Sequence, residues 1–382
     1  MEIDHSPAPA STGRTTGWPA TTTAGEGSVE YRQLGRCGLR VSKVSLGAFN
    51  FGGPTGPEEA ARIVATAVEA GVNLVDTANV YQDGRSEEIV GAAVRSCRDD
   101  VLLATKIFNP VGPGPNDRGT SAYALKRECE RSLRRLSTDH IDLLYLHRHD
   151  PDTPVEETVS ALDDLVRSGK VRYVGTSTVP TAYELADQPR LGTVPSWRIV
   201  DLLRTAQSRG AAPVVAEQSP YNLLEREIER DVLPLCAEYG LGLFTYSPLA
   251  MGLLSDRFAD GEPPRDARFT AWYAPSGPHW QPVWRTLGRL AKVAVELGLS
   301  LPDLAHAWVY DAPGVTSTVV GPRTLDQARA ALAAADRPLP DEARARLDGI
   351  AAPGESRWLR VVERGVRRSR GGPDDAEENV SP

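Results

Sequence analysis

Asp76, Tyr81, Lys106 and His147 are residue types that together can move a proton. A phenol is a weak acid, with an unperturbed pKa of about 10. A nearby ammonium stabilises the phenolate and lowers that value. Lys106 supplies such a charge, and Asp76 can hold and neutralise Lys106. A carboxylate at the end of a buried strand is costly without a partner of this kind. His147 can hydrogen-bond a substrate oxygen or share the proton transfer. The set suits protonation of an oxygen on which negative charge builds, the step that reduction of a carbonyl requires while hydride arrives at carbon.

These residues share one kind of position. In "GVNLVDTANVYQDGRSEEIVG" the first half reads as a buried strand ending at Asp76, the second half as a helix from Ser86, and Tyr81 stands on the turn between them. Lys106 closes "VLLATK" and His147 closes "IDLLYLH". The rest of the chain repeats the pattern. After a short hairpin in "YRQLGRCGLRVSKV", eight strand-then-helix units follow, from "VSLGAF" with "PEEAARIVATAVEAG" to "STVVGP" with "TLDQARAALAAAD". Continuous Val/Leu/Ile strands joined by helical crossovers indicate a parallel sheet covered on both faces. Eight units over roughly 300 residues predict a closed (β/α)8 TIM barrel with an N-terminal β-hairpin. "LPDLAHAWVYD" and "LPDEARARLDGI" read as extra helices decorating it. The alternative, an open doubly wound sheet, wants G-x-G-x-x-G after the first strand, and "LGAFNFGG" is a poor match.

A barrel places its chemistry at the carboxyl ends of its strands. The polar groups there are Asp76 and Tyr81, Lys106, His147, Ser177, Gln218, Tyr246 with Ser247, and Gly321 to Arg323.

Composition narrows the classes. The 382 residues are 41% hydrophobic and 25% charged with a net charge of -8, which suits a globular protein and offers no basic face for nucleic acid. No segment approaches the ~20 apolar residues that span a bilayer. Cys37, Cys97, Cys129 and Cys236 are scattered without metal-ligand spacing, so neither structural zinc nor a disulfide framework is expected, and a reducing, cytoplasmic setting fits. Residues 1–28, rich in Ser, Thr, Ala, Pro and Gly, read as a disordered leader, 29–350 as the barrel, and 351–382 as a partly disordered C-terminal extension.

The segments "GVNLVDTANVY", "LLATKIF", "IDLLYLHRHD", "VRYVGTS", "VAEQSPYNLL", "FTYSPLAMGLL" and "VVGPRTLDQ", in this order, resemble the aldo-keto reductases over about residues 30 to 350. The resemblance is strongest to the branch holding bacterial general reductases and the β subunits of shaker-type potassium channels. It implies an oxidoreductase that reduces a small-molecule aldehyde or ketone with a nicotinamide cofactor, usually NADPH, bound across the barrel mouth without a Rossmann fold. It also implies a catalytic tetrad falling on Asp76, Tyr81, Lys106 and His147, with Tyr81 as proton donor. Lys106 would depress the Tyr81 pKa, Asp76 would pair with Lys106, and His147 would orient the carbonyl.

The same resemblance assigns Ser177 and Gln218 to the carboxamide and Tyr246 to stacking on the nicotinamide. Ser247, Leu249 and Gly252 would line the pyrophosphate, with Arg257 and Arg268 near the phosphates. Gly321, Arg323 and Gln327 would face the 2′-phosphate end. Gly47, Ala48, Phe49, Asp76, Thr178 and Pro248 complete the expected cofactor contacts, and Phe49, Tyr81, His147 and Trp272 the substrate contacts. Three positions depart from the family: Thr178 stands where many members have Asn or Arg, and Ala330 and Ala331 replace the acidic residue and Asn that hold adenine. Arg323 and Arg329 can compensate at a 2′-phosphate, which Arg meets bidentately.

Other readings stand beside these. Asp76 and Lys106 also suit a buried structural ion pair. His149 is either substrate-side or structural, His306 sits in an amphipathic helix where packing explains it, and His279 has no assigned role. "FTAWYAPSGPHWQPVW" reads as an irregular surface loop or as a lid with Trp272, Tyr273 and Trp280 as walls. Asn50 joins Phe49 as a residue near substrate or cofactor. Two functions compete with general carbonyl reduction: a dedicated biosynthetic reductase, for example of a keto-sugar nucleotide, and a nucleotide-binding regulatory subunit with little turnover. Substrate specificity rests in the loops, and the sequence leaves a homo-oligomer open.

Overall fold

The computed structural model describes residues 29–177, 196–258 and 280–357. Ten strands run through them. β1 (Tyr31–Gln33) and β2 (Arg40–Ser42) form an antiparallel hairpin. β3 (Val44–Gly47), β4 (Leu74–Asp76), β5 (Leu102–Ile107), β6 (Ile141–Leu146), β7 (Val171–Ser177), β8 (Val214–Pro220), β9 (Gly242–Tyr246) and β10 (Val315–Val320) pair in parallel, and β10 closes on β3. This is the (β/α)8 barrel with an N-terminal hairpin that the alternation of patterns predicts.

Around the barrel lie α1 (Pro57–Glu69), α2 (Arg85–Ala93), α3 (Ala122–Leu136), α4 (Val155–Arg167), α5 (Ser196–Arg209), α6 (Val232–Tyr239), α7 (Gln281–Glu296), α8 (Leu301–Tyr310), α9 (Leu325–Ala333) and α10 (Asp341–Asp348). Local chemistry sets their ends. Ser121, Ser300 and Thr324 cap α3, α8 and α9, each side-chain oxygen accepting an N–H of the first turn, a contact that contributes about 1 kcal/mol.

Side chains alternate across each strand and divide the core in two. Leu74, Ala104, Leu143, Tyr145, Ala216 and Phe244 fill the barrel interior, whereas Val75, Leu103, Leu144 and Leu243 face the helices. The interior is sealed at the amino ends of the strands. There the hairpin inserts Leu34 and Val41, both fully buried, and its turn lies so close to the start of β9 that a Cβ on Gly35 (φ 54°) would sit 2.3 Å from the Gly240 carbonyl oxygen. Access is left to the carboxyl ends.

One expectation about the helices is corrected. The segment read as a decoration, α8, is the inner element: it packs against β10, and Leu301, Leu304 and every residue from Ala305 to Tyr310 are buried. A helix apolar around its circumference belongs in a core. α7, read as the seventh barrel helix, buries one face and packs outside, on α8 and α10. Chain beyond residue 350 also packs: Arg226 donates from Nη1 to the Ala351 carbonyl at 2.6 Å, and the Arg357 N–H donates to Leu224 O at 2.9 Å.

Candidate active site

β4 delivers Asp76 into the barrel mouth, and the chain then turns through a short 3-10 segment, Tyr81–Gly84, before α2. Gln82 (φ 50°) and Asp83 (φ 56°) both adopt left-handed backbone, unusual for two consecutive non-glycine residues. Such conformations cost on the order of 1–3 kcal/mol each and cluster at functional sites. Here they follow Tyr81 directly.

Asp76, Lys106, Tyr81 and His147 converge. The Lys106 ammonium donates to Asp76 Oδ1, to the Thr77 carbonyl at 2.9 Å and to the Tyr81 hydroxyl at 3.4 Å. An ammonium has three N–H bonds, and all three are used. The phenol oxygen therefore accepts from Lys106 and keeps its own O–H for donation elsewhere. Gln218 donates from Nε2 to the other Asp76 oxygen at 2.9 Å. The rings of Phe49 and His147 stand edge-on to Tyr81, with centroids 4.9 and 5.9 Å away.

Burial controls the electrostatics. Desolvation holds the Tyr81 pKa above the ordinary phenol value; the Lys106 charge pulls it down and Asp76 pushes it up. The expected lowering by Lys106 is thus present but outweighed, because the buried phenolate loses more to desolvation than one paired ammonium returns. For Lys106, burial pulls the pKa down, yet Asp76 and then Tyr81 outweigh it, so the net shift is upward and the amine stays charged. His147 is held well below the ordinary histidine value by burial, then by the Lys106 and Arg148 charges, and is neutral at physiological pH. Asn109 Nδ2 lies 3.1 Å from His147 Nδ1. An amide nitrogen only donates, so Nδ1 accepts and the ring proton sits on Nε2, ready to donate to an oxygen.

The other expected positions line the same rim. Gly47 ends β3, and the Ala48 N–H donates to the Asp76 carbonyl at 2.8 Å. Ser177 ends β7 and is the register partner of Gln218, two residues before the end of β8, and both are buried. Tyr246 ends β9; Ser247 (φ 56°), Pro248 and Leu249 lead into the turn Ala250–Gly252, where no described residue beyond its chain neighbours lies within 4 Å of the place a Cβ on Gly252 (φ 103°) would take. Arg257 is exposed on the next turn. Gly321, Arg323 and Gln327 follow β10, and the Arg323 N–H donates to Gln327 Oε1 at 2.9 Å. Asn50 braces this end by donating to the Gly321 carbonyl at 2.8 Å. Thr178, Arg268, Trp272, Tyr273 and His279 lie outside the described residues.

Trp280 stands at the start of α7, directly after the undescribed part of the Trp-rich segment. It is 1% exposed and stacks on Trp284 at 5.7 Å, inside the packing of α7. His306 is a core residue stacked on Tyr310 at 5.5 Å. His149 lines a small cavity of about 40 Å³ beside Ser177, Arg198 and Glu217, with its pKa lowered by burial and Arg198. Sequence reasoning missed Asn109 and Asn222. Asn109 sits beyond the same strand end as Lys106, so the strand-end rule was a usable signal. Asn222, in "SPYNLL", donates to the Ser247 carbonyl at 2.9 Å and accepts the Leu224 N–H, and nothing in its local pattern announces that role.

A closed parallel barrel with a lysine, a carboxylate, a tyrosine and a histidine gathered at its carboxyl rim defines the class. The chain matches the Aldo/keto reductase family over residues 43–352 and belongs to it, which places it among oxidoreductases. It is 40% identical over 301 residues to a probable voltage-gated potassium channel subunit beta of rice (Oryza sativa subsp. japonica), covering 77% of this chain and 87% of that one. It is 37% identical over 316 residues to a protein of the same description from Arabidopsis thaliana, 81% of this chain and 92% of that one. It is 36% identical over 334 residues to the uncharacterized oxidoreductase YrpG of Bacillus subtilis (strain 168), 84% of this chain and 96% of that one. Among the described residues no helix is long and apolar enough to cross a membrane.

Proposed function

We propose that the chain is an NADPH-dependent reductase of small aldehydes or ketones, with Tyr81 as the proton donor. The observation that carries the reading is the Tyr81 oxygen accepting from Lys106 at 3.4 Å, while the three Lys106 N–H bonds are divided among Asp76, Thr77 and Tyr81. A proton donor for a nascent alkoxide must be protonated, oriented and next to a positive charge that stabilises the phenolate left behind. Tyr81 meets the three conditions. His147, neutral and protonated on Nε2, is suited to donate a second hydrogen bond to the same oxygen. Phe49 walls the apolar side of the phenol.

The residues on the rim suit a nicotinamide dinucleotide in their chemistry. Ser177 and Gln218 offer uncharged hydrogen-bonding groups for a carboxamide, and the aromatic Tyr246 ends the neighbouring strand. Gly252, with no described residue beyond its chain neighbours within 4 Å of its missing Cβ, suits close approach of a diphosphate to the backbone. Arg257 and Arg323 bring positive charge for phosphates, with Gln327 beside Arg323. When bound, NADPH supplies the hydride. The chain's residues bind the cofactor, hold the carbonyl oxygen between Tyr81 and His147, and deliver the proton. The wanting acidic and Asn positions at Ala330 and Ala331 leave adenine held less firmly than in the family pattern, so preference for NADPH rests on arginine contacts to the 2′-phosphate.

The test is a titration of the purified protein with NADPH and NADH by protein fluorescence, followed by a carbonyl panel that includes p-nitrobenzaldehyde. Tighter binding of NADPH and its oxidation by a carbonyl are expected. Cofactor binding without turnover on any carbonyl would favour the second reading, a nucleotide-binding regulatory subunit, to which the descriptions of the rice and Arabidopsis relatives point.

A further inference from the structure

The first turn of α2 is fastened to the two strands that carry Asp76 and Lys106, through the residue next to each. Asp76 and Lys106 point into the barrel, so their neighbours Thr77 and Thr105 point out toward the helices. Ser86 donates from Oγ to the Ala48 carbonyl at 2.7 Å, which spends its only proton; Thr77 is therefore the donor in the 2.8 Å contact between the Thr77 and Ser86 hydroxyls. Thr105 donates from Oγ1 to Glu87 Oε1 at 2.6 Å, and Arg135 on α3 donates from Nε to Glu87 Oε2 at 2.6 Å. Glu87 and Ser86 are fully buried. Tyr81 stands on the turn that joins β4 to this helix, with Gln82 and Asp83 in left-handed backbone between them. A turn carrying that strain needs its far end held.

We infer that Glu87 is a positioning residue: through Thr105 it locks the start of α2 to the strand of Lys106 and so sets the Tyr81 hydroxyl against the Lys106 ammonium. The inference rests on the proposed role of Tyr81 as proton donor. Glu87 itself touches neither Tyr81 nor Lys106. Its two oxygens join three elements, β5, α2 and α3, at the layer just outside the site. Arg135 seals the arrangement by passing over Gly84, where φ is 88° and a Cβ would lie 2.8 Å from Arg135 Cδ.

The experiment removes the hydroxyl alone. Thr105→Val keeps the side-chain outline and leaves every residue of the rim in place, and Thr105→Ser restores the donor. The full chain is labelled with tyrosine bearing ¹³C at Cζ, and the Tyr81 resonance is assigned by its loss in Tyr81→Phe. Thr105→Val should move that resonance, leave those of Tyr221 and Tyr310 in place and lower kcat on the order of tenfold. NADPH affinity should stay within about twofold of the native value, and Thr105→Ser should recover both readouts. If Thr105→Val fails to fold, Glu87→Gln, which keeps the volume but no longer accepts from both partners, should move the same resonance. An unmoved Tyr81 resonance and native kcat would overturn the inference. So would movement of all tyrosine resonances together with loss of NADPH affinity, which would mark a general structural role. Should the native protein reduce no carbonyl, the proposed function fails separately, and the Tyr81 resonance still decides whether Glu87 and Thr105 position the phenol.

Discussion

Replacing Lys106 by Met removes one positive charge 3.4 Å from the Tyr81 oxygen and keeps most of the side-chain volume. At that separation, with an effective dielectric constant of about 20, a full phenolate gains about 5 kcal/mol from the ammonium. Asp76 lies against the same ammonium and offsets part of the gain. With the proton about half transferred in the transition state, about 2 kcal/mol remains, a loss of roughly 30-fold in kcat. Because the substitution strands Asp76, which is 3% exposed and among the described side chains keeps only the Gln218 donor, Asp76→Asn is made in the same chain. The assay is reduction of p-nitrobenzaldehyde at saturating NADPH, followed by loss of the cofactor's absorbance, with NADPH affinity and the thermal midpoint measured in parallel. A folded Lys106→Met that binds NADPH and turns over within about threefold of the native rate would refute the argument, since the electrostatic cost cannot then be acting on the phenol.

Tyr81→Phe should bind NADPH as the native chain does and lose on the order of 10²-fold or more in kcat, because it removes one proton and little shape; steady-state kinetics beside a binding titration checks this. Stability should fall on the acid side. His306 has its pKa lowered to about 4 by burial, so between that value and the unfolded value of about 6.5 the unfolded chain binds more protons, and stability is lost as pH falls through the window. Urea melts at about pH 7 and about pH 5 should show His306→Phe relieved of about 2 kcal/mol of that loss. His147 is shifted in the same direction and adds to the slope. Gly84→Ala should cost about 1–2 kcal/mol in denaturant melts, since φ there is 88° and the methyl meets Arg135.

Much of this protein was legible in the chain before any coordinates. Continuously apolar strands such as "IDLLYL" and amphipathic helices such as Ala122–Leu136 follow from local apolar spacing, and eight of each in alternation leave few folds open. Asp76, Lys106 and His147 could be placed on one rim because a parallel barrel points every carboxyl end the same way. Local pattern misjudged α8: an all-round apolar segment of ten residues reads as minor until neighbours cover every side. Nor could local pattern tell that the Trp280 ring packs on Trp284.

Residue type and order by themselves determined which groups stand at the strand ends and which element each belongs to, because side-chain alternation and helix periodicity are properties of a few consecutive residues. Only the folded chain decided how those groups share protons. The three-way division of the Lys106 N–H bonds, the net upward shift of the Tyr81 phenol and the tautomer of His147 all depend on burial and on partners from other strands. Solvation and Coulomb energies are set by distances through space, and those distances join residues that the chain holds far apart until the barrel closes.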